Sequence, residues 1–64
     1  MYFRANEMIG HTVRIDYKNK VGPMSRVGII STVSPVSLLF IVLDDDEEME
    51  IRIRVKNIKS IKIA

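Results

Sequence analysis

No cysteine occurs among the 64 residues, and there is a single histidine, His11. The first absence excludes disulfides and thiolate zinc sites, and the second excludes a histidine metal cluster. Tryptophan and glutamine are missing too, and only three glycines and two prolines punctuate the chain. No apolar run approaches the roughly 18 residues that a membrane-spanning helix needs. The longest, residues 36–43 interrupted only by Ser37, has the length of a strand. The start of the chain has no basic patch followed by an apolar core, so a secretory leader is not expected. Taken with the missing cysteine, this gives the expectation of a soluble, cytoplasmic protein. Phosphate-cradling glycine loops, nucleophile elbows and metal-binding helices are absent from the sequence, so neither an enzyme nor a cofactor is expected.

A chain of this length forms one domain, residues 1–64. It buries only about 60% of the surface that its unfolded form exposes, which makes it marginal on its own. Without disulfides or a structural metal, the supports that remain are a closed, well-packed barrel and assembly with further copies. A homo-oligomer is therefore expected. Ten isoleucines with no Cys or Gln also fit a thermophilic source.

What is present is alternation. From Met49 to Lys56, Met49, Ile51, Ile53 and Val55 are apolar, while Glu50, Arg52, Arg54 and Lys56 lie between them. A strand sends successive side chains to opposite faces, so this segment has one dry and one charged face. Residues 11–18 repeat the pattern with Val13, Ile15 and Tyr17. A loop is expected over residues 19–24, marked by Gly22 and Pro23. The next strand, residues 25–33, alternates through Val27, Ile29, Ser31 and Val33, with Gly28 as a candidate bend or bulge. Ser34 and Pro35 mark a turn. The third strand, residues 37–43, is apolar both ways: Leu38, Phe40 and Val42 on one face, Leu39, Ile41 and Leu43 on the other. One face fills the core, and the second calls for a cover, from the N-terminal segment or from a partner. Residues 44–48 read as an acidic turn. A corner at Asn57 and Ile58 leads to a last strand with Ile61 and Ile63 inward. Residues 2–9 allow either a short helix, with Tyr2, Ala5, Met8 and Ile9 on one face and Gly10 as its cap, or an extended arm. The expected fold is all-β, a five-stranded small barrel.

Charge is segregated beyond what the net +2 conveys. Six of the eight acids lie between Asp44 and Glu50, and no acid follows them. Arg52, Arg54, Lys56, Lys59 and Lys62 form a basic tail end of the chain, the electrostatic footprint of phosphate binding. The plainer account is a solvated strand face. Asp44, Asp46, Glu48 and Glu50 alternate as oxygen ligands would, but the turn lacks the glycine and helical frame of a calcium loop, so no metal site is expected. His11 has no partner in the sequence, and nothing there places Asp16 or Ser25 beside it. Tyr2 and Phe3 are free either to stack on bases or simply to pack the N-terminal helix down, whereas Tyr17 and Phe40 fall at core positions.

Residues 54–61, RVKNIKSI, resemble the closing motif R-G-x-N-I-x-x-I of the Sm-like family of five-stranded barrels, matching at Arg54, Asn57, Ile58 and Ile61. Gly28 and Ile30 match the family's opening motif. The chain departs from it at Val55, where the family has glycine, at Ser34, where it has Asp, and at Ser37 and Leu38, where it has Met and Asn. The resemblance implies a barrel that binds RNA as a ring. The family's base-holding Asp and Asn are missing, so only Arg54 and Asn57 carry over. Src-homology-type, chromatin and ribosomal small barrels share the same architecture and serve other partners. The expected function is sequence-tolerant binding of RNA or DNA through Arg52, Arg54, Lys56, Asn57, Lys59 and Lys62. The alternative is a protein-interaction or assembly module that works through Leu39, Ile41 and Leu43 and binds no nucleic acid.

Overall fold

A computed structural model describes residues 5–43 and 48–64. Five antiparallel strands follow in order: β1 (Thr12–Asn19), β2 (Gly22–Val33), β3 (Ser37–Val42), β4 (Met49–Arg54) and β5 (Ile58–Ile63). They form one sheet in the spatial order β4-β3-β2-β1-β5. The protein is all-β, as its alternation predicts. The expected closure into a barrel is not made by a strand ladder, because β4 and β5 stand at the two edges of the sheet. Short 3-10 turns at Ala5–Met8 and Val55–Asn57 supply the remaining regular structure among the described residues.

The core follows the period of two. Val13, Ile15 and Tyr17 of β1, Leu38, Phe40 and Val42 of β3, Ile53 of β4 and Ile58 of β5 are buried, with Ile30 of β2 among them. In β2 the inner face is the one opposite to a simple reading of its apolar residues. Gly28 and Ile30 are buried, while Val27 and Ile29 face the other way. Two features cause this. A Cβ at Gly28 would overlap the Ile41 carbonyl oxygen and meet Phe40 Cζ at 2.8 Å, so β2 and β3 approach closely only because that side chain is missing. A register shift between Ile30 and Thr32 then inserts an extra residue and returns Val33 to the core side.

The loop expected at residues 19–24 is shorter. Asn19 pairs with Gly22 across a two-residue turn. Asn19 Oδ1 accepts hydrogen bonds from the amides of Val21 at 2.9 Å and Gly22 at 3.2 Å. Neither Lys20 nor Val21 has positive φ, and the reversal is completed at Gly22, with φ +132°. That is the division of labour of an ordinary turn followed by a glycine bulge.

The corner after β4 comes earlier than expected. Arg54 is the last extended residue, and Val55 opens a 3-10 turn closed by the Ile58 amide donating to the Val55 carbonyl. Val55 has an ordinary negative φ, so this corner makes no demand for the glycine of the Sm-like motif. In β5, Ile61 is half-buried, but Ile63, expected inward, is 57% exposed. It sits opposite Val13 at the end of an edge strand, with no further strand to cover it. At the N-terminus, the described part of the helix-or-arm alternative is the single 3-10 turn, with Met8 packed on the core. Tyr2, Phe3 and residues 44–47 of the acidic turn lie outside the described residues. No described helix is long and apolar enough to cross a membrane.

Candidate nucleic-acid interface

The strands run so that the end of β4 comes back beside the turn joining β1 and β2. Between them lies an open cleft lined by Tyr17, Lys18, Asn19 and Lys20 on one wall and by Arg52, Ile53, Arg54, Lys56 and Asn57 on the other. Five of these nine residues are cationic and none is acidic. Each arrives by local geometry. Arg52 and Arg54 are two apart on β4, so both point away from the core that holds Ile53. Lys56 and Asn57 project from the 3-10 turn, and Lys18 and Lys20 flank the tight β1–β2 reversal. All five basic side chains of the cleft, Lys18, Lys20, Arg52, Arg54 and Lys56, are exposed.

A second groove shares Arg52, Arg54 and Lys56 as one wall and has Pro35, Val36, Ser37 and Val55 as the other. It is held together by the Val55 amide, which donates to the Val36 carbonyl at 2.9 Å. Val36 is 73% exposed at its rim. The turn beneath it is closed by Ser34 and Ser37: Ser34 Oγ donates to the Ser37 carbonyl at 3.0 Å and accepts from the Ser37 amide at 3.1 Å. Ser34, which stands where the Sm-like family has its base-holding Asp, is thus engaged with Ser37 in holding a turn.

Of the residues expected to bind phosphate, the fold brings Arg52, Arg54, Lys56 and Asn57 together in the cleft and leaves two elsewhere. Lys59 lines an adjoining groove with Asp16, Pro23, Met24, Ser25 and Ser60, and Tyr17 borders both that groove and the cleft. Lys62 lies opposite Arg14 on the outer side of β5 and β1. Lys18, Lys20 and Asn19 were not among the expected residues. Their signal was faint in the sequence, two lysines around an asparagine at a turn, because nothing local to residues 18–20 tells that residues 52–57 will fold beside them.

Among the described residues the one clearly perturbed carboxylate is Asp16. Hydrogen bonds from Ser25 and then Ser60, with smaller contributions from the charges of Lys62 and Arg14, hold its carboxyl below the usual range against the opposing effect of partial burial. The fold therefore does place Asp16 beside Ser25. It leaves His11 five residues back along the chain, a strand distance of about 17 Å, so a Ser-His-Asp arrangement is not formed from these three. Among the described residues no group of three or more His, Asp or Glu side chains converges as a metal site would require.

No protein-family model, curated protein or solved structure matches this chain.

Proposed function

We propose that this protein binds nucleic acid, RNA or DNA, through the cleft between the β1–β2 turn and the end of β4, by gripping the phosphate backbone. The observation that carries the reading is the cleft's lining: Lys18, Lys20, Arg52, Arg54 and Lys56 with no acid among them, in a chain whose net charge is only +2. Cations on two facing walls neutralise a backbone running between them and release its counterions, which supplies affinity without reading sequence. Asn19 uses its carbonyl oxygen in the turn, so Asn57 is the neutral polar group offered to a base or sugar. Lys59, one groove further on past Tyr17, extends the positive track. The likeness of residues 54–61 to the Sm-like closing motif adds support at Arg54 and Asn57.

Fluorescence anisotropy with labelled single strands and duplexes tests this. Binding at low salt that varies little among sequences of equal length and weakens steeply as salt is raised is the expected result. No binding of RNA or DNA at low salt would overturn it.

A further inference from the structure

Tyr17 belongs to the core and to the cleft at once. It is 7% exposed and sits in the buried cluster around Phe40, at the inner-face position that follows Val13 and Ile15 along β1. It also lines the basic cleft, the groove that holds Lys59, and a smaller recess with Met24, Arg26, Val42 and Ile51. No hydrogen bond joins its hydroxyl to another described residue, and among those residues no buried side-chain nitrogen or oxygen lacks a partner. The hydroxyl is therefore not enclosed. The ring is packed away, and its polar tip reaches the surface where these three hollows meet.

Packing does not ask for that hydroxyl, since phenylalanine would fill the same place in the core. A tyrosine oxygen so near an interior ordinarily finds a protein partner, and this one is left to water or to a ligand. The surroundings select the ligand. On the cleft side Lys18 and Lys20 follow Tyr17 along one wall, and Arg52, Arg54 and Lys56 form the other, with no acid between them. Past Tyr17 the character changes: Lys59 is accompanied by the Asp16 carboxylate, which already engages the Ser25 and Ser60 hydroxyls. The recess holds a single cation, Arg26, which has an interaction of its own. An anion that reaches Tyr17 therefore comes from the cleft. We propose that Tyr17 is a contact residue of the nucleic-acid site, its hydroxyl donating a hydrogen bond to a phosphodiester oxygen at the end of the cleft that adjoins the Lys59 groove. The proposal rests on the nucleic-acid reading and adds to it a neutral contact that fixes where the backbone lies. The five cations are long, exposed side chains that lose conformational freedom when they grip. The Tyr17 ring is already held by the core, so its hydroxyl is a pre-set donor, of the kind that positions a backbone without reading sequence.

Tyr17→Phe removes the hydroxyl and keeps the ring. Anisotropy titrations of the full chain against labelled oligo-dT, oligo-dA and oligo-U, at several salt concentrations, test its role. The wild type is expected to bind all three, and Tyr17→Phe to bind each about tenfold more weakly, the order of a hydrogen bond to a charged acceptor. The slope of log affinity against log salt is expected to stay the same, because a neutral donor releases no counterion. The urea midpoint is expected to stay the same too, since no described residue uses the hydroxyl. Equal binding by Tyr17→Phe and wild type overturns the role of Tyr17 and leaves the cleft standing. So does a loss confined to one base or to RNA, which would assign the hydroxyl to a base edge or a sugar. A loss accompanied by a lowered urea midpoint or a changed slope also overturns it, by making the effect structural. A wild type that binds no strand at all overturns the nucleic-acid reading itself, and this contact with it.

Discussion

Asp16 in β1 accepts a 3.0 Å hydrogen bond from the hydroxyl of Ser60 in β5, across a ladder that pairs the same two residues. Ser25 of β2, paired with Asp16 on the other side, also hydrogen-bonds to its carboxylate. One carboxylate therefore links three strands and fastens the edge strand β5 to the middle of the sheet. It does so beside the register shift between Asp16 and Tyr17, where the ladder itself is interrupted.

The depressed pKa of Asp16 has a defined consequence for stability. A carboxyl that is more acidic when folded binds fewer protons in the native than in the unfolded state, so its contribution is complete above the ordinary carboxylate pKa, about 4. That contribution is lost as pH falls through the lower, folded value. Asp16→Asn is expected to be less stable than wild type near neutrality, with the gap narrowing as the solution is acidified below about pH 4. Urea midpoints of both proteins at neutral and acidic pH measure it; a gap that stays constant or widens on acidification would contradict the assignment.

Gly28 is required for a steric reason, since a Cβ there would enter the space of the Ile41 carbonyl and Phe40. Gly28→Ala is expected to cost about 1–3 kcal/mol by overpacking, read from denaturant unfolding. Gly22 makes the contrasting case: a Cβ there meets nothing within 4 Å, but φ is +132°. Gly22→Ala is expected to be destabilising through backbone strain alone, by about 1 kcal/mol. Wild-type stability for both variants would show that the strands and the turn relax without cost.

Phe40 is fully buried at the centre of the core. Phe40→Ala is expected to remove about 3–5 kcal/mol. At roughly 0.05–0.15 kcal/mol per residue a chain of 64 residues has about 3–10 kcal/mol in total. The variant should therefore lose a third or more of its stability, read as a large drop in the urea midpoint by circular dichroism.

The two-walled cleft makes a prediction that a single basic strand would not. Lys18→Ala with Lys20→Ala should reduce nucleic-acid affinity and salt dependence about as much as Arg54→Ala with Lys56→Ala. Each pair is expected to lower the slope of log affinity against log salt by about 1.4 for a single strand. Lys62→Ala, on the far side of β5, should change neither. Anisotropy titrations at several salt concentrations give the slopes; an effect confined to the β4 pair would place the contact surface on that strand instead.

Much of this was legible along the chain. Alternation in β1, β3 and β4 predicts strands, because the two-residue period is a local steric property of extended backbone. In β1 and β3 it also predicts the buried residues, whereas on the expected dry face of β4 only Ile53 is buried, Ile51 is half-buried and Met49, at the start of an edge strand, is 49% exposed. The apolar second face of β3 is visible for the same reason, and the basic run from Arg52 to Lys62 is visible from composition alone. The inner face of β2 was not, since its apolar residues Val27 and Ile29 point one way while a glycine and a bulge turn the strand the other.

Sequence alone thus determined an all-β chain, the two-faced β3 and the segregation of acid from base. Only the tertiary structure decided who the neighbours are. It set Lys18 and Lys20 across from Arg52, Arg54 and Lys56, sent Lys62 to the opposite side with Arg14, and left β4 and β5 as open edges. Those relationships depend on register and on the curl of the sheet, which long-range packing around Phe40, Ile30 and Gly28 sets and no local pattern encodes.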